Sequence, residues 1–208
     1  MENTQEGLNF LELIFKGGVV MIPIGLLSVV TIYLIIERFI YIKNASKLEV
    51  NFMNNVKDLL AKGDLKAARA FCQRVNSPIS RVIEKGIMRI GKPINDIESS
   101  IESMASLETG ALEKNLNWLG IIAGIAPMLG FIGTIAGIIK IFYNIAVSDN
   151  ISIGLIAGGL YEKMITSGSG LIVGVVAYTG YHFLNSMIDK FNTKLERTAV
   201  DFIDILES

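Results

Sequence analysis

Hydroxyl groups and one carboxylate stand within or beside apolar stretches of this chain. Thr134 lies in the middle of one stretch, Thr166 and Ser167 lie in another, and Glu162 precedes Thr166 by one helical turn. A carboxylate at a membrane border must be paired, hydrated or partly protonated, which makes Glu162 a candidate functional residue. It could equally be an interface residue that pairs with Lys163 or reaches outside water. Single hydroxyls are weak evidence, because a membrane Ser or Thr commonly bonds back to the carbonyl four residues earlier.

The machinery of a hydrolytic or redox enzyme is missing from the sequence. His182 is the only histidine, and there is no HExxH motif, no Gly-rich phosphate loop and no Ser/His/Asp set. Cys72 is the only cysteine, which excludes an intrachain disulfide or a thiolate zinc site and favours a buried apolar cysteine. The net charge of -1 leaves no footprint for nucleic acid. We therefore expect neither an enzyme nor a metal or cofactor site.

Small residues recur at four-residue intervals in the same apolar stretches and indicate close helix packing. In lipid, such residues let helix backbones approach each other where apolar side chains alone supply little association. The contact could lie within one subunit, or between subunits around a central pathway, and periodicity does not separate the two. The residues that we predict to pack the helices or line a pore are Pro127, Gly130, Gly133, Gly137, Gly170 and Gly174.

The elements that carry these residues are predicted to be membrane-spanning helices. The sequence is 51% hydrophobic with a mean hydropathy of +0.49, and it contains three charge-free runs of 20, 25 and 25 residues. About 20 apolar residues cross a hydrocarbon core roughly 30 Å thick, and these runs lack the polar face of a soluble helix. The acidic N-terminal segment has the wrong charge for a cleavable signal peptide.

Lys and Arg near the ends of the runs predict the orientation, because they prefer the cytoplasmic side. Arg38, Lys43 and Lys47 follow the first run, whereas only Lys16 precedes it. The predicted segments are a periplasmic segment 1–16, a transmembrane helix 17–39, a cytoplasmic helical domain 40–114, a transmembrane helix 115–142, a periplasmic hairpin 143–160, a transmembrane helix 161–188 and a cytoplasmic amphipathic helix 189–208. The fold class is an all-α membrane protein whose long helices extend into a cytoplasmic helical domain.

Turn residues divide the predicted cytoplasmic domain into helices. Breaks are expected at Gly63-Asp64, where Asp64 would cap the next helix, at Ser77-Pro78, and at Gly91-Lys92-Pro93. No Gly-Pro punctuation or turn cluster follows until the second apolar run begins, which predicts one unbroken helix from about Ile94, ~70 Å long if it continues to Tyr143. The tail shows an apolar stripe at helical spacing from Phe183 to Leu206 that should pack on this helix or on a second copy.

Two stretches resemble the signatures of the MotA/TolQ/ExbB ion-channel family. Residues 126–139 read A-P-M-L-G-F-I-G-T-I-A-G-I-I, which is similar to the family pattern A-P-x-L-G-L-L-G-T-V-x-G-M-I. Residues 156–171 read I-A-G-G-L-Y-E-K-M-I-T-S-G-S-G-L, which is similar to I-A-x-G-I-x-E-A-L-x-T-T-A-x-G-L. The resemblance covers nearly the whole chain in order. Three spans instead of four point to the ExbB/TolQ branch.

The resemblance implies a homo-oligomeric ring, a pentamer in this family, whose second and third spans line a lumen. That lumen would hold the single-span helices, expected as a dimer, of an ExbD- or TolR-like partner, which brings the proton-carrying aspartate. Thr134 matches the family's second-span threonine and Glu162 its third-span acid. Thr166 matches the first Thr of the family's T-T pair, and Ser167 stands at the position of the second. Lys163 replaces a usual Ala, and Val176 replaces a frequent Pro, so the third span should be straighter.

The function that the resemblance implies is that of an inner-membrane motor subunit. The ring would use ion flow, through Thr134, Ser167, Thr166 and Glu162, to energise an outer-membrane process such as nutrient import through a TonB- or TolA-like protein. The ion could be H⁺ or Na⁺, because hydroxyls serve either. The alternatives are a scaffold that recruits partners without conducting ions, and a small secondary transporter. A transporter predicts an inverted repeat and interrupted helices, and neither is visible in the sequence.

Overall fold

The computed structural model describes residues 18–148 and 153–207, and no strand occurs in those two ranges. The described chain is built of α-helices, some of them short and some long enough to cross a bilayer. These are α1 (Met21–Ala45), α2 (Phe52–Ala61), α3 (Leu65–Val75), α4 (Pro78–Ile87), α5 (Ile94–Glu113), α6 (Leu116–Ser148) and α7 (Ile153–Glu207). The expected all-α fold is confirmed.

Three stretches of the described chain are long and apolar enough to cross a membrane, one in α1, one in α5 and α6, and one in α7. Large apolar side chains are exposed along all of them, for example Leu26 on α1, Phe131 on α6 and Ile172 on α7. A helix that shows apolar side chains on its outside needs an apolar solvent or a partner to cover them. This exposure fits the predicted spans.

The chain divides into two compact units. The first, which we call the spanning unit, contains residues 18–35 together with Asn117–Tyr181. The second, the peripheral unit, contains Ile36–Leu116 together with residues 182–207. The division falls inside α1 and α7, so both helices contribute to both units.

The prediction of one unbroken helix from Ile94 into the second span is wrong. α5 ends at Glu113 and α6 begins at Leu116, because Lys114 takes an extended ψ of 133° and Asn115 has a positive φ of 67°. Asparagine tolerates the left-handed conformation better than other non-glycine residues, so it can end a helix without Gly or Pro. Beyond this break, helix continues through most of the predicted hairpin 143–160, to Ser148 and again from Ile153.

Two of the predicted helix starts in the peripheral unit are confirmed by their caps. Asp64 accepts a hydrogen bond of 2.9 Å from the backbone N–H of Ala67, and Gly63 supplies a positive φ of 71° before it. Ser77 and Ser80 cap each other's backbone N–H groups at 3.1 and 2.8 Å, with Pro78 as the first residue of α4. Such caps satisfy N–H groups that have no partner within the helix.

The core of the peripheral unit contains large side chains. Phe202 on the tail of α7 is fully buried, and a Cβ placed on Gly86 would lie only 2.6 Å from its ring. Phe191 and Leu195 of the predicted tail stripe are buried too, whereas Phe183 is exposed and Leu184 is buried beside it. The tail of α7 therefore packs on helices of its own chain, on a stripe one residue away from the prediction at its start.

Buried polar groups of the peripheral unit are paired. Arg81 donates to both carboxylate oxygens of Glu108, each at 2.6 Å, and this hydrogen bonding raises the pKa of Arg81. Cys72 is buried as predicted, and burial raises the pKa of its thiol to about 12. It therefore behaves as a small apolar residue and not as a nucleophile.

Candidate functional site

The contact between α6 and α7 in the spanning unit is close enough for backbone to touch backbone. A Cβ on Gly170 would lie 2.5 Å from the carbonyl oxygen of Ala126 and 3.1 Å from the Cα of Gly130. A Cβ on Gly130 would in turn lie 3.0 Å from the Cα of Ser167. Only glycine leaves room for this approach, which is the small-residue packing expected of helices in lipid. These two glycines pack within one chain.

The other small residues of the predicted set lie on the same contact, which we call the glycine seam. A Cβ on Gly133 would meet the Cγ2 of Thr166 at 2.8 Å, and one on Gly174 would meet the Cγ of Pro127 at 2.5 Å. Pro127 lies inside α6 without ending it. Gly137 is covered by the side chain of Lys163. Within the described chain, the glycine seam packs α6 against α7.

Thr134 and Ser167 meet across the glycine seam. Their hydroxyl oxygens are 2.5 Å apart, and Ser167 also lies 3.0 Å from the carbonyl oxygen of Gly130. The Thr134 hydroxyl additionally lies 3.2 Å from that carbonyl and 3.1 Å from the carbonyl of Lys163. We call these two residues the hydroxyl pair.

The hydroxyl pair has more hydrogen-bond acceptors around it than protons to donate. Each hydroxyl carries one proton and two lone pairs, so the two protons are shared among the two carbonyls and the contact between the hydroxyls. The protons can therefore shift between partners without leaving a buried group unsatisfied. The hydroxyl pair could therefore accept a hydrogen bond from an additional donor, or donate one to an additional carboxylate, at small energetic cost.

The hydroxyl pair and Thr166 lie on different sides of the seam. Thr166 is fully buried, its hydroxyl donates to the carbonyl of Glu162 at 3.3 Å, and its methyl lies on the side of Gly133 that also meets Val20. Thr134 follows Gly133 by one residue, and Ser167 follows Thr166 by one residue, so each points about 100° further around its helix. Both are half-buried.

The accessible side of the hydroxyl pair is flanked by apolar side chains. Phe131, Met164 and Leu171 stand one turn from the pair on α6 and α7, and between 55% and 65% of each is exposed. The spacing of three or four residues places each of them on the same helix face as its hydroxyl. Two hydroxyls are thus set in an apolar surface that the rest of the described chain leaves open.

Glu162 and Lys163 lie near the start of α7. The Glu162 side chain is 46% exposed, and its carboxylate is 4.0 Å from the ammonium of Lys163, whose side chain is 20% exposed. The pair is at the outer limit of an ion pair. The structure thus brings Thr134 and Ser167 together, directs Thr166 inward, and leaves Glu162 half-exposed beside a lysine.

Comparison with known proteins identifies the family. Residues 74–197 match the MotA/TolQ/ExbB proton channel family. The chain belongs to this family. Its relatives place it in the ExbB/TolQ branch and include the biopolymer transport protein ExbB of Neisseria meningitidis, 26% identical over 92% of this chain and 94% of that protein. The Tol-Pal system protein TolQ of Haemophilus influenzae is 25% identical over 92% of this chain and 96% of its own length.

An ExbB homologue from Methanothermobacter thermautotrophicus, also named for biopolymer transport, is 28% identical over 89% of this chain. This chain spans 66% of that relative's length. Family membership together with the three apolar stretches makes this a multi-pass protein of the inner membrane.

Sequence reasoning on this ExbB/TolQ-type chain missed two features of the site. The first is the carbonyl of Lys163 as a partner of Thr134, and the second is the packing of the Lys163 side chain on Gly137. The sequence had pointed to Lys163 as a possible ion-pair partner of Glu162 and as a departure from the family pattern. No signal in the sequence pairs position 163 with position 137, because the pairing depends on the rotation of two helices against each other.

Proposed function

We propose that this chain is the ring-forming subunit of an ion-driven motor, with the proton as the first candidate ion. The hydroxyl pair, with Glu162 on the same helix as Ser167, would form the pathway wall, and Thr166, which is buried inside the chain, would support that wall from behind. The observation that supports this function is the meeting of Thr134 and Ser167 on the open face of the glycine seam. Family membership and relatives named for biopolymer transport and the Tol-Pal system support the same role.

The proposed mechanism needs a carboxylate that the hydroxyl pair can meet. An ExbD- or TolR-like partner would bring a membrane aspartate, which is costly in hydrocarbon when it is ionised. The hydroxyl pair would offer that aspartate hydrogen bonds in one rotational position. Phe131, Met164 and Leu171 would offer apolar wall in the next, which favours the protonated form. Protonation is thereby coupled to movement.

The energy for this movement would come from the membrane potential. Each elementary charge that crosses supplies roughly 2.3 kcal/mol per 100 mV. A ring of identical subunits, a pentamer by family resemblance, would present the hydroxyl pair to the partner repeatedly. The partner would pass the motion to a TonB- or TolA-like protein and energise an outer-membrane process such as nutrient import.

The proposed topology places the N-terminal segment and the predicted hairpin 143–160 in the periplasm. The peripheral unit, including the tail of α7, would lie in the cytoplasm. Residues 1–17 and 149–152, which include the N-terminal segment and the centre of the predicted hairpin, lie outside the described residues. Cysteines placed singly at Asn144 and at Lys92, in a Cys72→Ala background, would test this orientation by labelling from either side of the membrane.

The function is tested by removing the hydroxyls while keeping the shape. Thr134→Val combined with Ser167→Ala should lower ion flux into liposomes that contain this chain and its partner by about tenfold or more. That expectation follows because a hydrogen bond to a charged group contributes roughly 1.5–3 kcal/mol.

The matched control for that experiment is Thr31→Val in α1. The Thr31 hydroxyl donates to the carbonyl of Leu27 of its own helix at 2.7 Å, so its removal should leave the flux unchanged. Full flux in the double variant at normal protein levels would contradict the pathway role. Absence of flux in the unmodified complex would favour the non-conducting scaffold instead.

A further inference from the structure

The side chain of Lys163 occupies a notch on α6. A methyl group on Gly137 would overlap the Cγ, Cδ and Cε atoms of this lysine, so the apolar stem of the side chain lies directly on the Gly137 backbone. The ammonium continues to 3.6 Å from the Cβ position of Gly18. A lysine can bury its stem in this way while its charged end stays accessible to water or to a partner.

Lys163 is connected to the hydroxyl pair at two points. Its carbonyl oxygen accepts from the Thr134 hydroxyl at 3.1 Å, and its side chain packs on Gly137, which follows Thr134 by three residues on the same helix face. Ser167 stands one turn after Lys163 on α7. The notch, the carbonyl contact and the hydroxyl pair therefore form one continuous contact between α6 and α7.

The backbone contacts of the glycine seam do not by themselves set how far α6 is shifted along α7. At Gly170 and Gly130 backbone meets backbone, and such a surface has no side chain that resists sliding. A side chain seated in a notch does resist sliding, because any shift moves it against the backbone on either side of the notch. The stem of Lys163 on Gly137 is a contact of this kind, as are the methyl of Thr166 on Gly133 and the ring of Pro127 on Gly174. Lys163 also accepts a hydrogen bond from Thr134 through its carbonyl oxygen, which connects its contact to the hydroxyl pair.

We propose that Lys163 is a positioning residue, and that its apolar stem, seated on Gly137, holds α6 and α7 in the register that places Thr134 opposite Ser167. The inference rests on the proposed function only in taking the hydroxyl pair to be the working site. The geometry itself can be measured without ion flux. The register of α6 and α7 should depend on the apolar stem of Lys163 and not on its ammonium group.

Disulfide formation between positions 134 and 167 measures the register directly. The parent carries Cys72→Ala with Thr134→Cys and Ser167→Cys, whose side chains should cross-link rapidly, since the native oxygens are 2.5 Å apart. A second parent carries Ile122→Cys and Ala177→Cys, which belong to the buried cluster more than three turns away on α6. Each test substitution is made in both parents.

The expected results separate the stem from the charge. Gly137→Ala should slow the cross-link at 134 and 167 by about tenfold, because a methyl cannot share the notch with the stem. Lys163→Ala should slow it by about threefold, and the combination should return to within about twofold of the parent, because the new methyl fills the emptied notch. Lys163→Met keeps the stem without the charge and should match the parent. Gly168→Ala, which meets nothing within 4 Å, is the neutral control.

Three outcomes would overturn the inference. The cross-link between positions 122 and 177 could slow as much as that between 134 and 167, which would make the effect global. Lys163→Met could behave like Lys163→Ala, which would assign the effect to the ion pair with Glu162. Gly137→Ala could fail to fold both with and without Lys163→Ala, which would place the demand on the notch itself. If the cross-linking rates change as expected but the ion flux does not change with them, Lys163 is still a positioning residue, and it is the proposed function that is contradicted.

Discussion

The interiors of the two units of the molecule are packed in different ways. The peripheral unit buries large side chains completely, among them Phe52, Phe202 and Leu112. The spanning unit has a small buried cluster of Ile122, Ala126 and Ala177, and a seam where backbones touch, while many of its large apolar side chains are exposed. In water, burial of apolar surface stabilises a core, whereas in lipid it supplies little and close approach replaces it.

The two units also differ in the kind of polar groups that they pair. The peripheral unit uses a guanidinium–carboxylate pair, Arg81 with Glu108, and side-chain caps on its helices. In the seam of the spanning unit, the hydroxyls of Thr134 and Ser167 bond to each other and to backbone carbonyls. Hydroxyls can be buried without charge, so they suit a wall in hydrocarbon, where an unpaired charge would be far more costly.

The largest expected effect comes from removing atoms from the peripheral unit. Phe202→Ala should lower the free energy of unfolding by about 4 kcal/mol, because it empties a fully buried ring site against Gly86. Chemical denaturation of the detergent-solubilised protein would measure this. Val200→Ala, two residues earlier and 58% exposed, should change the stability by less than about 0.5 kcal/mol. Equal effects of the two variants would contradict the burial argument.

In the spanning unit, adding an atom to the glycine seam should be the harmful change. Gly170→Ala adds a methyl 2.5 Å from the carbonyl oxygen of Ala126, and a backbone atom cannot move away as a side chain can. We expect a loss of about 3 kcal/mol in an unfolding titration in mixed micelles. Gly168→Ala, on the same helix with open space, should be neutral or stabilise by roughly 0.5 kcal/mol through helix propensity. Tolerance of Gly170→Ala would show that the seam is looser than described.

The smallest of the three effects concerns charge. Arg81→Met should lower the free energy of unfolding by about 2 kcal/mol, because it leaves the Glu108 carboxylate, 9% exposed, without its guanidinium. Arg69→Met removes a pair between Arg69, 48% exposed, and Glu84, and should cost less than about 1 kcal/mol. Thermal unfolding of both variants at low and high salt would check the order. A larger loss for Arg69→Met would reverse this part of the comparison.

Local features of this protein could be predicted from the sequence. The charge-free runs predicted the spans, and the residues at Asp64 and Ser77 predicted helix starts, because a cap involves neighbours in the chain. The helix break at Asn115 escaped prediction, since asparagine is compatible with helix as well as with the left-handed conformation found there. The tail stripe was displaced at its start, because helical spacing does not say which adjacent residue turns inward.

The family and the candidate residues also followed from the sequence, through two long motifs that the comparison with known proteins supports. Which of these residues contact each other depended on the tertiary structure. Only the rotation of α6 against α7 placed Thr134 on Ser167, turned Thr166 inward and seated Lys163 on Gly137. The reason is physical: helix formation and membrane insertion depend on the chain's own residues, whereas the face that a helix presents is chosen by the neighbour against which it packs.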